Sequence, residues 1–263
     1  MLKICVVIPC YNSVRFIEET LQSILSQDYP CFQCIVVDGG STDGTLDILR
    51  KYASDKLSWI TGKDRGQSDA INKGLEQVRG DILTYLCSDD LYEPRCFSEV
   101  AKFFSENPER KWLYGKCNII NEDGKEIRKL ITLYKDFWQQ HYGYRRLLVM
   151  DFIAQPSVFW RAELTKEIGL FDPDNHLTMD YEYWLRAGFK YHPGFVNKYL
   201  AKFRLHPTSK STKRFHAAST EALVVAKQYA IAQHKSFLIP LQYLSWLLVV
   251  TTYSILKLWS FKG

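Results

Sequence analysis

Two adjacent carboxylates, Asp89 and Asp90, come one residue after a short, largely apolar stretch at residues 84–87. Two negative charges this close repel each other unless they share a proton or a cation. Mg²⁺ and Mn²⁺ prefer oxygen ligands, and carboxylates commonly bind such an ion where a diphosphate must also be held. A plain structural role is also open, because Asp is favoured at helix N-caps and Pro94 suits a first helical turn. The acid pair therefore predicts either a divalent-metal site or the start of a helix.

The segments before this acid pair predict repeated strand and helix units with polar loops between them. Short apolar runs bounded by turn residues indicate four buried strands, at residues 4–8, 32–37, 57–60 and 80–87. One polar side chain follows each strand: Asn12, Asp38, Asp64 and Asp90. Ser13 is the predicted N-cap of the first helix. Because open α/β sheets bind ligands at the carboxyl ends of their strands, we expect these four side chains to line one site.

Two common phosphate-binding loops are missing from the sequence. No GxxxxGK[ST] segment is present, and no GxGxxG follows the first predicted strand. The sequence therefore argues against a P-loop NTPase and against a nicotinamide-dependent dehydrogenase. A bound nucleotide would be held by carboxylates and backbone groups instead.

The second half of the chain predicts a less regular set of elements. Hydrophobic patterns indicate one helix, at residues 93–107, and four strands, at residues 112–120, 125–132, 155–160 and 195–203. A hairpin turn at residues 121–124 would join the first two of these strands. The segment 134–149 is rich in aromatic and basic residues, which fits either core packing or an acceptor site whose rings stack on a sugar or a lipid.

Two further polar residues have types that could take part in chemistry. Asp180 precedes a predicted helix, so it is either an N-cap or a general base at the rim of a pocket. His206 lies in a polar, basic loop after the last predicted strand, where a surface histidine is the simpler interpretation. Beside a metal held by carboxylates, the same imidazole would be a ligand or a diphosphate contact.

The charge of the chain is divided unevenly between its two parts. The 263 residues carry a net charge of +5, yet nine Lys or Arg and a single acid, Glu221, lie after residue 201. The tail therefore carries +8 and the body −3, so the tail is basic and the body mildly acidic. The seven cysteines lack the spacing of a secreted disulfide scaffold, and the sequence enters its first strand without a cleavable leader. We expect a cytoplasmic, reducing location and no nucleic-acid partner.

The tail contains a segment of membrane-spanning length. Residues 236–256 carry no charged side chain, and about 20 apolar residues let a helix cross a bilayer. Pro240 and several polar residues make the segment only moderately apolar, while the basic residues before it favour an anionic cytoplasmic leaflet. Membrane association is expected, through either an in-plane helix pair or a single span. A hydrophobic interface in a homodimer is the alternative.

Six segments, taken in order, resemble glycosyltransferase family 2. They are PCYN at 9–12, VVDGGSTDGT at 36–45, DRGQSDAINKG at 64–74, GDILTYLCSDD at 80–90, MDYEYWLR at 179–186 and RLHPTSKS at 204–211. The resemblance covers roughly residues 3–215, and the order and spacing of the six segments are far more specific than any one of them. It implies an inverting nucleotide-sugar transferase with the GT-A fold, an α/β fold with a Rossmann-like, mostly parallel sheet flanked by helices.

The resemblance also implies roles for individual side chains. Asp90 would bind Mn²⁺ or Mg²⁺ at the donor diphosphate, with His206 beside the metal, and Asp180 would be the catalytic base. Asp38 would accept a hydrogen bond from the nucleobase, and Asp89 would contact the ribose or the donor sugar. The other nucleotide-sugar contacts would come from Pro9, Tyr11, Asn12, Asp64, Arg65 and Asp69.

One position departs from a common pattern of the family. That pattern has Glu immediately before the catalytic Asp, and this sequence has Met179 there. The departure leaves open whether Glu182 shares the role of Asp180 as the base.

Taken together, these features predict two parts and one main function. Residues 1–215 would form the GT-A domain, and residues 216–263 a helical, membrane-associated segment at the inner face of the cell membrane. The protein would transfer a sugar from a nucleoside diphosphate sugar, with UDP expected, to a hydroxyl of a glycan or lipid-linked acceptor in cell-surface polysaccharide synthesis. Two alternatives stay open: a polyprenyl-phosphate sugar transferase, and a non-catalytic nucleotide- or carbohydrate-binding module of the same fold.

Overall fold

A computed structural model describes the fold of residues 1–260 and the side chains through residue 255. Its first part alternates strictly between strands and helices. The elements are β1 (Ile4–Cys10), α1 (Ile17–Leu25), β2 (Phe32–Asp38), α2 (Thr45–Tyr52), β3 (Leu57–Thr61), α3 (Gln67–Gln77) and β4 (Ile82–Tyr85). β1 and β2 are buried almost throughout, as expected for strands that helices cover on both faces of the sheet.

The second part is less regular and ends in two long helices. The elements are β5 (Leu91–Tyr92), α4 (Cys96–Glu106), β6 (Trp112–Ile120), α5 (Lys129–Gln140), α6 (Tyr144–Val149), β7 (Val158–Arg161), α7 (Ala162–Ile168), α8 (Met179–Lys190), β8 (Gly194–Arg204), α9 (Lys210–Lys213), α10 (Phe215–Ala232) and α11 (Ile239–Ser260).

The eight strands form one sheet, in the order β3-β2-β1-β4-β7-β6-β8-β5. β1 to β4 run parallel, so the loops that follow them meet at one edge of the sheet. β7 is antiparallel to both of its neighbours, whereas β6 and β8 are parallel. β5 follows the acid pair directly and is antiparallel to β8, with Leu91 opposite Lys202. This last pairing brings the end of β8 beside Asp90.

The sheet carries a hydrophobic core on each face. In β1, Cys5 and Val7 pack into one core and Ile4, Val6 and Ile8 into the other. Alternation along the strand produces this division because successive side chains point to opposite faces. The strand ends that carry the polar loops are therefore held in a rigid frame.

The predicted strand at residues 125–132 is wrong. In this segment Glu126 forms a single bridge, with Ile120, and α5 begins at Lys129. The turn before it does form, since the Gly124 N–H donates to the Asn121 carbonyl at 3.1 Å. The apolar residues that follow recur at helical spacing, and this period prevails over the hairpin signal of the turn.

Two other elements begin later than the sequence predicts. α1 starts at Ile17 and not after Ser13, because the Ser13 carbonyl accepts the N–H groups of Phe16 and Ile17 and the chain first makes a turn. Residues Gln155–Ser157 form a 3-10 turn before β7. Pro156 has no N–H to give to a strand ladder, so the strand begins beyond it.

The two C-terminal helices pack against the body of the protein. Ala226 of α10 and Leu238, just before α11, are buried in one of the two cores. Gln242 of α11 is 2% exposed, and its Nε2 donates to the carbonyls of Leu148 and Ala226 at 2.9 and 3.0 Å. One side of α11 therefore packs against α6 and α10.

One described helix has the length and composition of a membrane span. It covers Ser236–Ile255, has a mean hydropathy of 1.4 and is 11% buried. Length and composition are weak evidence on their own, because core helices of other proteins also meet this test. The predicted division at residue 215 stays a prediction, and residues 261–263 of the predicted tail segment lie outside the described residues.

Candidate active site

Asn12 ties the loop after β1 to the loop after β2. Its backbone N–H donates to Ser41 Oγ at 2.8 Å, and its Oδ1 accepts the N–H of Thr42 at 2.9 Å. Its φ of 48° lies in the left-handed region, which Asn tolerates better than most residues. Tyr11 beside it is exposed, and Pro9 lines a cavity at the acid pair. These predicted residues thus lie at the carboxyl end of β1.

Asp38 is fully buried, and both of its carboxylate oxygens are occupied. They accept the N–H groups of Gly40 and Ser41 at 3.0 Å, the Thr61 hydroxyl at 2.6 Å and the Ser41 hydroxyl. Burial opposes ionisation, but the hydrogen bonds from Ser41, Thr61 and Gly40 prevail and lower the pKa of Asp38. In this conformation the carboxylate holds its own loop together, and its predicted contact with a nucleobase stays a prediction.

Asp64 lies against the glycine that follows Asp38. A Cβ at Gly39 would lie 2.6 Å from Asp64 Oδ2, so a side chain there would displace the Asp64 carboxylate. The other oxygen of Asp64 accepts the N–H of Gly66 at 2.9 Å. The structure thus brings the loops after β2 and β3 together, as the sequence predicts for neighbouring parallel strands.

Asp69 organises the start of α3. Its carboxylate accepts the backbone N–H of Arg65 at 3.0 Å and pairs with Lys73 at 2.9 Å. The hydrogen bond from Lys73, followed by that from Arg65, lowers the pKa of Asp69. The Arg65 side chain is 74% exposed, and its Nη2 lies 3.4 Å from Asp69 Oδ1.

The acid pair at the end of β4 is only partly satisfied. Asp90 is 1% exposed, and its Oδ1 accepts the backbone N–H of Arg204 at 2.8 Å. Its Oδ2 is buried and has no hydrogen-bond partner among the described residues. Burial, followed by the charge of Asp89, raises the pKa of Asp90 well above its ordinary value. This oxygen is thus available to a ligand that supplies positive charge or a proton.

The side chains around this oxygen fit a hard divalent cation in part. Donor atoms of Cys87, Asp89 and Asp90 lie within 4.8 Å of one another. The two carboxylates suit Mg²⁺ or Mn²⁺. Cys87 suits them less, because a thiol is a softer ligand and burial raises its pKa well above the ordinary value. The donor set that fits such an ion is therefore the acid pair itself.

Arg204 fixes the acid pair from the end of β8. Its side chain is fully buried, and its Nε donates to the Asp89 carbonyl at 2.8 Å while Nη2 pairs with Glu19 at 2.6 Å. The guanidinium also lies 4.8 Å from the centre of the Phe16 ring. Sequence reasoning missed this residue, although a basic residue at the end of the last predicted strand was an available signal.

His206 contacts the exposed side of the acid pair. Its Nε2 lies 3.0 Å from Asp89 Oδ2, and its Nδ1 lies 2.8 Å from the Thr208 hydroxyl. The ring packs on Phe16, with 4.7 Å between ring centres. The structure brings His206 to the acids, and its role as a metal ligand stays a prediction.

A cavity of about 150 Å³ lies between the acid pair and the loop after β8. Lys210 lines it, and its ammonium group contacts Gln67 Oε1 at 3.3 Å and the His176 carbonyl. Burial lowers the pKa of Lys210, and the nearby Cys87 and Asp180 partly offset this effect. The sequence analysis did not single out Lys210. A larger cavity, about 340 Å³, lies near the start of β8 and contains none of the predicted site residues.

Asp180 lies half-buried in the first turn of α8. Burial raises its pKa, and backbone hydrogen bonds and the charge of Lys135 partly offset this rise. Glu182, the other candidate base, pairs with Arg186 at 2.8 Å and accepts the hydroxyl of Tyr229. These partners occupy Glu182, so the geometry favours Asp180.

A second carboxylate, Asp151, lies in the same electrostatic environment as Asp180. It keeps a solvent-facing surface, yet the surrounding atoms bury it enough to raise its pKa to about 7. Lys135 of α5 opposes this rise and Asp180 adds to it. Gln155 Nε2 donates to the Tyr85 carbonyl at 2.7 Å, which holds this segment against the end of β4. Neither Asp151 nor Lys135 stood out in the sequence, because no motif marks them.

Comparison with known proteins gives one family. The model of the family described as Glycosyl transferase family 2 matches residues 5–166. An uncharacterized glycosyltransferase of Rickettsia typhi is 28% identical over 214 residues, which cover 77% of this chain and 64% of the relative. A Bacillus subtilis protein, named as a candidate teichuronic acid biosynthesis glycosyltransferase, is 28% identical over 221 residues, 82% of this chain and 84% of its own.

Solved structures with the same fold include two transferases. Residues 1–349 of S. aureus TarS, in complex with UDP-GlcNAc, align with a TM-score of 0.66 and 21% identity over 85% of this chain and 66% of that one. A mannosyltransferase from Pyrobaculum calidifontis, in complex with GDP-Man and Mn²⁺, aligns with a TM-score of 0.67 and 17% identity over 98% of this chain and 81% of that one.

Proposed function

The chain belongs to glycosyltransferase family 2 and has the GT-A fold, and we propose that it transfers a sugar from a nucleoside diphosphate sugar to an acceptor hydroxyl, with inversion at the anomeric carbon. The observation that carries this proposal is the buried Asp90 oxygen without a described partner, beside Asp89 and at the carboxyl end of β4. Lys210 lines the same cavity, and the negative charge of Asp180 acts to raise the pKa of Lys210. Lys210 therefore links the cavity at the acid pair to the charge of Asp180, which supports a base near the donor site.

In the proposed function, Asp90 would hold Mn²⁺ or Mg²⁺, with Asp89 and His206 beside the ion. When bound, such an ion supplies positive charge to the diphosphate that leaves. The solved mannosyltransferase complex that contains Mn²⁺ supports this assignment by its fold. The buried Arg204 keeps both acids in place by fixing the Asp89 carbonyl and Asp90 Oδ1.

The donor occupies the loops after β1, β2 and β3. We assign its nucleotide contacts to Tyr11, Asn12, Asp64 and Arg65, with Pro9 and Asp69 shaping the loops that carry them. Asp38 holds the loop that binds the base. Its carboxylate also accepts a hydrogen bond from the base, in place of the one from the Thr61 hydroxyl. UDP is the proposed nucleotide, and the TarS complex with UDP-GlcNAc supports this choice.

Asp180 is the proposed catalytic base. Its carboxylate takes the proton of the acceptor hydroxyl as the hydroxyl oxygen bonds to the anomeric carbon. The bond between that carbon and the diphosphate oxygen breaks on the opposite face, and its electron pair leaves with the nucleoside diphosphate. Burial that raises the pKa of Asp180 makes it a stronger base for this transfer. Lys135 and Asp151 flank the acceptor side.

The acceptor is proposed to be a glycan or lipid-linked sugar in cell-surface polysaccharide synthesis, at the inner face of the membrane. The Bacillus subtilis relative, whose name refers to teichuronic acid, supports the pathway class. The apolar helix Ser236–Ile255 and the basic tail support a membrane location. A hydroxyl acceptor requires a base, whereas an acceptor phosphate is already ionised, so the role of Asp180 separates this function from the polyprenyl-phosphate alternative.

Titration calorimetry with UDP, GDP and dTDP tests the donor site directly. We expect one nucleotide to bind the full chain in the presence of Mn²⁺ and to lose binding when EDTA is added. If none of the three binds under either condition, the transferase proposal fails and a carbohydrate-binding module becomes the better hypothesis.

Replacement of the proposed base separates chemistry from binding. Asp180→Asn should lower turnover by about 10²–10⁴-fold and leave nucleotide affinity unchanged, because only proton transfer is lost. Asp174→Asn removes an exposed acid from the preceding loop and is the matched control. Transfer at the wild-type rate by Asp180→Asn would remove Asp180 from the mechanism and favour a phosphate acceptor.

A further inference from the structure

α5 is amphipathic, but its polar face is buried and its apolar face is exposed, which is the reverse of a helix in a soluble domain. Its polar residues face inward: Asp136 is buried and accepts the Tyr199 hydroxyl at 2.8 Å, and Gln139 is 1% exposed. Its apolar residues face outward, with exposed fractions from 53% to 82%: Leu130, Leu133, Tyr134 and Phe137. This spacing of i, i+3, i+4 and i+7 places all four on one face of the helix. We call these four residues the α5 stripe.

α11 presents a second apolar surface. Gln242 and Leu238 face the body, while several large side chains on the helix and just before it are 49% to 62% exposed: Phe237, Leu241, Leu244, Leu247, Leu248 and Ile255. Monomeric soluble proteins rarely expose a contiguous apolar surface of this extent. The surface therefore calls for a partner that is itself apolar.

The α5 stripe and the α11 surface adjoin each other. Arg128, just before α5, lies 5.0 Å from the centre of the Tyr253 ring, and Arg145, at the start of α6, lies 5.8 Å from that of Phe237. Residues 237 and 253 are separated by about 24 Å along the helix, at a rise of about 1.5 Å per residue. The segment 128–145 therefore runs alongside α11, and we call the combined surface the apolar platform.

Basic side chains surround the apolar platform. Lys227 lies 5.0 Å from the Tyr243 ring centre, and Lys235 lies 5.9 Å from those of Tyr144 and Phe189. Together with Arg128 and Arg145, these side chains form no ion pair with an acid within the part of the chain that the structure describes. Cationic groups at the rim of an apolar surface match the headgroups of anionic lipids. The same charges would repel each other across an interface between two copies of the chain.

We propose that the apolar platform docks on an anionic lipid bilayer, with α11 lying along the membrane surface and α5 inserting its stripe beside it. α11 cannot cross the bilayer in this arrangement, because Tyr253 stacks on Phe215 at 4.0 Å and lies beside Arg128. A spanning α11 would carry that arginine and α10 into hydrocarbon. The in-plane helix therefore explains both the attachment to the body and the exposed apolar faces.

Docking of the platform also sets the position of the acceptor side of the site. α8 carries Asp180, and the Tyr181 hydroxyl of α8 donates to the Leu147 carbonyl of α6 at 2.6 Å. α6 also carries Arg145, which lies beside Phe237 of the platform. The platform thus holds the proposed base close to the headgroup region, where a lipid-linked acceptor presents its sugar. This step rests on the proposed function, whereas the docking itself does not.

Vesicle binding by the full chain tests the platform. We expect sedimentation with phosphatidylcholine vesicles that contain phosphatidylglycerol, and weaker sedimentation with vesicles of phosphatidylcholine alone. The variant Leu130→Ser/Leu133→Ser/Phe137→Ser should partition about tenfold more weakly or worse, since three side chains no longer enter the bilayer. Ile60→Ser, which removes an exposed apolar side chain of β3, is the control and should bind as wild type does.

Each contrary outcome overturns a different statement. Vesicle binding of the triple variant at the wild-type level would remove the α5 stripe from the interface, and equal binding to vesicles without phosphatidylglycerol would remove the basic side chains from it. If the protein forms a dimer and does not bind vesicles, the platform is instead an interface with a second copy of the chain. Nucleotide binding by the triple variant, measured in the calorimetric assay, shows that it is folded. Vesicle binding without nucleotide binding in wild type would sink the proposed function and leave the platform intact.

Discussion

Asp38 and Asp90 are both buried aspartates at strand ends of one sheet, yet their surroundings are opposite. Asp38 ends β2 and accepts four hydrogen bonds from its own loop and from β3, which lower its pKa. Asp90 follows β4, accepts one backbone N–H and keeps one oxygen without a described partner, and its pKa is raised. The first carboxylate is complete in the folded chain, whereas the second is complete only with a ligand. Burial alone therefore does not separate the two acids, whereas the unsatisfied oxygen of Asp90 does.

The largest expected effect tests whether Asp90 is the functional member of this pair. Asp90→Asn should abolish Mn²⁺-dependent nucleotide binding and lower transfer by about 10²–10³-fold, because the charge that would hold the cation is gone. In EDTA its melting temperature should not fall below that of wild type, since the substitution removes a buried charge with an unpaired oxygen. Calorimetry and thermal melting measure the two effects.

Asp55→Asn, which changes an exposed acid far from the site, is the control for this experiment. Wild-type metal-dependent binding by Asp90→Asn would contradict the assignment. A strongly destabilised variant would show instead that Asp90 is a structural acid like Asp38.

Asp38→Asn should show the reverse pattern, with stability affected more than chemistry. An amide offers one acceptor oxygen, and its NH₂ group would face the N–H and O–H donors of Ser41 and Thr61. We expect a loss of about 1–3 kcal/mol in the free energy of unfolding. Urea denaturation measures this loss, again with Asp55→Asn as the reference. An unchanged midpoint together with lost nucleotide binding would show that Asp38 acts directly on the base.

The same contrast explains how far the sequence predicts the molecule. The partners of Asp38 lie 2 to 23 residues away, within two consecutive strand and loop units whose apolar runs, glycines and hydroxyl residues are local signals. The Asp90 carboxylate accepts the backbone N–H of Arg204, 114 residues away. That contact depends on the pairing of β5 with β8, and neither strand order nor direction follows from local periodicity.

Other gaps in the sequence analysis have the same origin. The strand β7 runs antiparallel between two segments distant in the chain, and the inverted face of α5 is visible only once Asp136 is seen to bond Tyr199. Aromatic residues at helical spacing normally indicate a buried helix face. In α5 that face is exposed, because the opposite face, with Asp136, packs on the sheet. The sequence predicts which acids lie at the site, but the fold determines which of their carboxylate oxygens have hydrogen-bond partners.

The smallest expected effect is the pH dependence of stability, and its sign differs between the two acids. An unfolded Asp titrates at a pKa of about 3.9. The folded pKa of Asp38 is lower, so its stabilising contribution is present above about pH 4 and is lost as pH falls through the folded pKa. The folded pKa of Asp90 is higher, so the metal-free protein loses stability as pH rises from about 4 through that value. In EDTA, the melting temperature of Asp90→Asn should therefore exceed that of wild type most at alkaline pH. The deficit of Asp38→Asn should shrink as pH falls below about 4. Melting curves between pH 3 and 9 measure both differences, and parallel pH profiles for the two variants would show that the two carboxylates do not differ in the way their hydrogen bonds imply.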